Sequence, residues 1–322
     1  MPSLKPASQN LWTGRSAETV QYWHQAVKCF DAGSKPNHSG KSISILGYAV
    51  DAGVRRNSGR PGSANGPDAI RKMMAGMGFH LHNGTPIYDF GNIGTVADDL
   101  EETQIWVKEW VLERLQSHSF PFLMGGGHDL AYAHGKAAME FCRSKGEKLG
   151  IINLDAHFDL RPLLLGKGHS GSPFFQLSEE HPRDFHYLCL GIQRAGNPPQ
   201  LFETAKTRKV QWMEMGDFTV HNWENIREVL DQFCGNVNKI YLSIDLDGFS
   251  SAYAPGVSAP SPMGFSPELA GMVLDWIADT GKLLCMDVVE LNPQFDQDNA
   301  TARLAARCGE HVLHRLFGKD FA

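Results

Sequence analysis

The chain has 322 residues, 42% of them hydrophobic, and a formal net charge of -6, with a pI near 6.1. This length is ample for a sizeable core in one large domain or two, the acidic balance argues against binding to nucleic acid or anionic membranes, and no apolar run approaches the roughly 20 residues of a membrane span. The first residues, Met1 to Pro6, lack the apolar core of a secretory signal, and six scattered cysteines (Cys29, Cys142, Cys189, Cys234, Cys285, Cys308) without a Cys-x-x-Cys pair read as reduced thiols of a cytoplasmic protein.

Residues 1–41 read as an N-terminal extension packing on the domain. They are polar and irregular apart from one helical stretch, Ser16–Phe30, where Tyr22, Trp23, Ala26, Val27 and Phe30 fall at helical spacing. Ser34–Lys41 is expected to link this segment to a first strand, Ser42–Ala49. Arg55–Pro67 is rich in Gly, Pro, Ser and Asn and reads as a loop; Pro67 then opens a helix over Asp68–Met77. A helix at Glu101–Gln116 precedes a strand at Pro121–Met124, and a helix at Ala131–Cys142 precedes a strand at Lys148–Leu154. Then come a strand at Tyr187–Gly191, a helix at Trp223–Phe233, a strand at Lys239–Ile244, a helix at Ser266–Thr280, a strand at Leu283–Val289 and a closing helix at Thr301–Leu316. The alternation predicts an α/β fold with a mostly parallel sheet. No shift in composition marks a boundary, so residues 42–322 read as a single domain.

Three of the apolar runs end in the same chemistry. Phe120–Met124 leads to Gly125-Gly126-Gly127-His128, Leu149–Leu154 to Asp155-Ala156-His157-Phe158-Asp159, and Ile240–Ile244 to Asp245-Leu246-Asp247. Alternate residues of an extended chain point the same way, so Asp155, His157 and Asp159 can face one point, as can Asp245 and Asp247. In parallel sheets the ligand site lies beyond the carboxyl ends of the strands, where all three clusters fall. One Asp-x-His alone is more often a surface turn, and one Gly-rich turn with a histidine is equally unspecific. Several carboxylates buried together, however, are very unfavourable without compensation, which divalent cations supply. Oxygen and nitrogen donors without thiolate suit a hard or borderline ion, and six are more than one ion needs. The pattern reads as a two-metal hydrolase centre. Glu290 ends a fourth run, Leu283–Val289. It reads either as an acid binding a cationic or planar nitrogen substrate at the metal site or as a capping or salt-bridging glutamate.

These segments, together with Asp287-Val288-Val289-Glu290-Leu291-Asn292-Pro293, resemble the signatures of the ureohydrolases, the family of arginase, agmatinase and formimidoylglutamase. The resemblance runs from about Ile43 to the C-terminus. Leu11–Arg15, Arg161 after the Asp159 group, Ser170–Phe174, Ala254–Pro260 and the Phe295–Arg303 region look like the formimidoylglutamase branch; Asp129 and Gly248 depart from it without touching the metal pattern. The resemblance implies a three-layer α/β/α, arginase-like fold and two manganese ions per chain. One would be held by His128, Asp155, Asp159 and Asp245, the other by Asp155, His157, Asp245 and Asp247. It further implies hydrolysis of N-formimidoyl-L-glutamate to L-glutamate and formamide, a step of histidine breakdown, by attack of a metal-bridging hydroxide on the C=N carbon. Asp159 would handle the proton and Glu290 would hold the substrate nitrogen. For the carboxylates of the substrate the first candidate is Arg161, a planar fork, followed by Arg194 and Asn197; Arg55, Asn57 and Arg60 are weaker. His169 is a candidate proton shuttle, although alignment on the Gly171 turn places Ser170 at that position. Trimers or hexamers, common in the family, make a homo-oligomer an expectation. The alternatives are an agmatinase or other guanidino-acid hydrolase releasing urea, a one-metal zinc deacetylase, and a non-catalytic metal-binding protein.

Overall fold

The structure, a computed structural model, describes residues 2–31, 41–82 and 84–318. Among them ten strands form one sheet: β1 (Ser3–Lys5), β2 (Val27–Cys29), β3 (Ser42–Tyr48), β4 (Ile87–Gly94), β5 (Ser119–Met124), β6 (Leu149–Leu154), β7 (Tyr187–Ile192), β8 (Gln211–Glu214), β9 (Lys239–Asp245) and β10 (Leu283–Val289). The order is β1-β4-β3-β5-β10-β9-β6-β7-β8, with β2 also paired to β4. Only the β1–β4 pairing is antiparallel. Strands β5, β6 and β7 are buried along their whole length. Burial on both faces explains why they read as unbroken apolar runs and not as alternating ones.

The helices are α1 (Trp23–Ala26), α2 (Ala52–Arg56), α3 (Gly66–Ala75), α4 (Leu100–Gln116), α5 (Leu130–Ser144), α6 (Pro173–Glu180), α7 (Pro199–Thr207), α8 (Trp223–Gly235), α9 (Pro267–Asp279) and α10 (Ala300–Phe317). Two apolar cores flank the sheet. Ile70, Leu230, Val273 and Val312 bring α3, α8, α9 and α10 into one; Val107, Ala137, Phe174 and Leu201 bring α4 to α7 into the other. The result is the expected three-layer α/β/α arrangement. Helix starts follow local chemistry: Pro stands in the first turn of α3, α6, α7 and α9. Asp99 and Ser266 accept hydrogen bonds from the backbone N–H groups of Glu102 and Leu269.

Two expectations fail at the N-terminal side, and one strand there is unforeseen. The helix expected over Ser16–Phe30 shrinks to α1, and Val27–Cys29 becomes a strand beside Ile87–Asp89. The open edge of β4 offers these residues backbone partners, which outweigh helical spacing. The loop expected over Arg55–Pro67 carries the end of α2 and the start of α3. Strand β4 itself is unannounced, because Asp89, Asn92 and two glycines interrupt its apolar residues. Those polar groups are compensated by Arg71, fully buried on α3, which donates to both Asp89 oxygens at 2.8 and 2.7 Å and to Asn92 Oδ1 at 2.7 Å. Trp12 Nε1 also donates to Asp89, at 2.7 Å. The linker expected over residues 34–41 lies, apart from Lys41, outside the described residues.

Four central strands bring the candidate donors together. The pairings β5–β10, β10–β9 and β9–β6 place Met124, Val288, Ile244 and Leu154 in one row across the sheet. The residues just beyond that row come from distant parts of the chain and share one sheet edge.

Candidate metal centre

Beyond that row the chain turns sharply. Asp155 accepts the backbone N–H of His157 at 2.7 Å, and Asp245 accepts that of Asp247 at 2.8 Å. Each first aspartate thus folds its own tail into a tight turn. The spacing of two reflects this local bond, not the extended chain inferred from sequence. Asn197 braces the first turn: its Oδ1 accepts from Phe158 N at 3.0 Å, and its Nδ2 donates to Ala156 O and Gln193 O at 2.8 and 2.7 Å. The loop bearing His128 packs on the backbone after β3. A Cβ at Gly126 would lie 1.8 Å from Val50 O, so only glycine fits there.

The six expected donors converge. His128 Nδ1 lies 2.9 Å from Asp159 Oδ2, 2.9 Å from Asp245 Oδ2 and 3.3 Å from Asp155 Oδ2. His157 Nδ1 lies 3.4 Å from Asp155 Oδ1 and 3.3 Å from Asp247 Oδ2. Two groups, His128/Asp155/Asp159/Asp245 and Asp155/His157/Asp247, each have ligand atoms within 4.8 Å of one another. Asp155 belongs to both, and Asp245 to the first only.

The electrostatics call for cations. Burial and then the neighbouring acids push Asp245 well above the usual carboxylate range, and burial takes Asp247 up to about 6 although His157 opposes it. Burial and Asp245 raise Glu290. Burial would lower His128, but its contacts with Asp155, Asp159 and Asp245 outweigh this and raise it well above its ordinary value. Acids this close cannot all remain charged alone, so in the bare chain protons supply the compensation. Asp247 Oδ1 is buried without a hydrogen-bond partner, and His128 Nδ1, although close to three carboxylates, makes no well-aligned hydrogen bond with any of them, an unfavourable state that a ligated ion relieves. Hard oxygen donors with two imidazoles fit two divalent ions.

A cavity of about 300 Å³ opens over the donors. Glu290 lines it, with a left-handed φ of 69°. One carboxylate oxygen, Oε1, accepts His128 N–H at 2.8 Å, leaving the other for a ligand. Arg161 also lines the cavity, exposed and with no side-chain partner among the described residues. Arg60 lines it as well, donating to Ser258 O at 2.9 Å and to Val257 O at 2.5 Å and stacking 3.8 Å over Phe295. Asn57 donates to Ser170, and both line the cavity.

Four expected residues stand elsewhere or are already engaged. Arg194 is 77% exposed, pairs with Glu214 at 2.5 and 2.8 Å, and is absent from the cavity wall. Asn197 touches the cavity, but its amide is committed to the Asp155 turn. His169 is buried, with Nε2 against Pro162 O at 3.1 Å and Nδ1 accepting Gly171 N–H at 3.2 Å. Both ring nitrogens are engaged away from the cavity, which Ser170 lines instead. Arg55 pairs with Asp51 and Asp98. Sequence reasoning missed Ser258 on the wall and Asn153 behind it, which donates to Asp155 Oδ2 at 2.9 Å. The strand position of Asn153, two before Asp155, was the available signal.

The family model described as the arginase family matches residues 41–314. The chain is 38% identical to a formimidoylglutamase of Citrobacter koseri over 324 residues, covering 98% of this chain and 99% of that protein. It is 37% identical to a formimidoylglutamase of Chromobacterium violaceum, covering 95% and 98%. Among solved structures, Trypanosoma cruzi formiminoglutamase with Mn2+ superposes with a TM-score of 0.77 at 28% identity, covering 87% of this chain and 95% of that one. Formimidoylglutamase of Bacillus subtilis shares the fold with a TM-score of 0.82 at 20% identity, covering 96% of each chain.

Proposed function

Because this chain belongs to the arginase family, we propose that it is a manganese-dependent hydrolase converting N-formimidoyl-L-glutamate and water to L-glutamate and formamide. The observation that carries this reading is the pair of overlapping donor groups under a cavity, in a chain aligned almost end to end with formimidoylglutamases. His128, Asp155, Asp159 and Asp245 would hold one manganese ion, and Asp155, His157, Asp247 and Asp245 the other. Bound there, two divalent ions would supply a water of lowered pKa, able to act as nucleophile near neutral pH.

The residues of the chain supply the rest. The free oxygen of Glu290 accepts an N–H of the formimidoyl group and aims its carbon at the metal pair, a positioning role. Arg161 takes a carboxylate of the glutamate tail through its planar fork. Asp159, at the cavity wall, relays the proton that the departing glutamate amine must gain as its C–N bond breaks. A cationic tail such as that of agmatine would meet the unpaired charge of Arg161, which disfavours urea release from guanidino substrates. No helix among the described residues is long and apolar enough to cross a membrane. A cytoplasmic location, supported by six free cysteines, and a trimeric or hexameric state complete the reading. Size-exclusion chromatography tests the second.

The deciding experiment assays formimidoylglutamate, agmatine, arginine and guanidinobutyrate side by side with added manganese. Formamide and glutamate should appear from the first substrate with the highest kcat/KM; urea from agmatine at a higher value would overturn the assignment.

A further inference from the structure

Beneath the donors lies a second polar cluster, none of whose residues lines the cavity. Asp287 (β10), Ser243 and Tyr241 (β9) and His134 (α5) are all fully buried. Ser243 Oγ donates to Asp287 Oδ1 at 2.6 Å, Tyr241 Oη to Asp287 Oδ2 at 2.5 Å, and His134 Nδ1 lies 2.7 Å from the same oxygen. Ser243 Oγ is also 2.9 Å from His128 Nε2. The chain of contacts therefore runs from a metal-facing imidazole through one hydroxyl to a carboxylate that three donors hold in place.

We propose that Asp287, acting through Ser243, is a positioning residue that fixes the tautomer of His128 and so strengthens selectively the binding of the ion at His128. The inference rests on the two-manganese reading. Its physical basis is proton accounting. A carboxylate can only accept, so the single hydroxyl proton of Ser243 points at Asp287. Ser243 then offers His128 only a lone pair, and His128 Nε2 must carry the hydrogen. Nδ1, which faces Asp155, Asp159 and Asp245, is then the nitrogen whose lone pair can go to an ion. A carboxylate behind a ligating imidazole orients the ring and raises its basicity as a ligand; here a serine lies between the two. The other imidazole has no such support. His157 Nε2 has no hydrogen-bond partner among the described residues, and its side chain is 25% exposed. The two imidazoles are thus supported unequally, and only the ion at His128 gains from this path.

The test is manganese binding to the metal-free full chain, by equilibrium dialysis with metal analysis. Wild type should bind two ions in two affinity classes. Ser243→Ala and Asp287→Asn should each weaken one class, that of the His128 ion, about 10- to 100-fold and leave the other within about twofold. Ser243→Thr, which keeps the hydroxyl, should restore the class of the His128 ion. The double variant Ser243→Ala/Asp287→Asn should lose no more than one single variant, because both cut the same path. In a His157→Ala background, which keeps the His128 ion, the same weakening should persist. Both classes unchanged in both single variants, equal weakening of both classes, or additive losses would overturn the proposal. If circular dichroism shows that Asp287→Asn does not fold, Ser243→Ala and Ser243→Thr decide. A wild type that binds fewer than two ions would instead sink the binuclear reading itself.

Discussion

Truncating Arg161 to alanine separates substrate recognition from metal chemistry. Its guanidinium lines the cavity, and no described residue hydrogen-bonds or pairs with it. The substitution should therefore cost little folding stability; the backbone N–H of Arg161 still reaches Gly171 O at 2.9 Å. A hydrogen bond to a charged partner contributes about 1.5–3 kcal/mol, and the exposure of this arginine places it near the lower end, about 1.5–2 kcal/mol. At about 1.4 kcal/mol per tenfold this is a rise in KM of about 10- to 30-fold. The assay is formimidoylglutamate hydrolysis at saturating manganese, with metal content measured on the same samples. Little change in kcat is expected, because the contact is present before and during the reaction. Arg161→Lys should fall between wild type and alanine, since it keeps the charge and loses the fork. A KM within about twofold of wild type would remove Arg161 from the carboxylate site and refute the argument from its unpaired charge.

Other outcomes depend on the metal donors and the loops around them. Asp155→Ala should lose both manganese ions by metal analysis, and the proposed ligand set expects the same of Asp245→Ala; one ion retained in Asp245→Ala would confine Asp245 to the His128 group. Saturating the metal-free protein with manganese at about 100 times the dissociation constant should stabilise it by about 2.7 kcal/mol per ion, read as a rise in Tm; an unchanged Tm would mean that the donors do not bind metal in the folded state. His169→Asn should leave the pH profile of kcat unaltered while lowering Tm, because both nitrogens of the ring serve the loop; a shifted pH profile would restore it as a proton shuttle. Arg194→Ala should leave KM unchanged, since that side chain serves Glu214, and a rise would show that the loop after β7 reaches the substrate.

The central strands and their acidic ends were readable because burial on both faces leaves long apolar runs, and an acid directly after such a run is costly enough to be informative. Strand β4 was unreadable because Asp89 is compensated by Arg71 from 18 residues earlier, and periodicity detects no distant partner. The same blindness affected single polar residues. Arg194 and Arg161 look alike in sequence, yet only one meets a glutamate. Asn197 and His169 carry suitable atoms but commit them to the backbone. Glu290 stood out at its strand end. Asp287, three residues earlier on the same strand, drew no attention as a site residue because its role passes through Ser243, and only the register of β9 and β10 shows that contact.

The interleaving of β5, β10, β9 and β6 has a consequence for biosynthesis. The N-terminal half of the chain supplies His128, Asp155, His157 and Asp159 just beyond β5 and β6, which are not neighbours. Two strands made later, β9 ending in Asp245 and β10 leading into Glu290, must fill the space between them. At about 4.8 Å per strand, β5 and β6 stand about 14 Å apart across that gap. A nascent chain released no further than β8 holds four of the six donors and cannot close either donor group. Metal capture is thus a late event of translation, and a bound manganese pair certifies that the interior of the sheet has been completed.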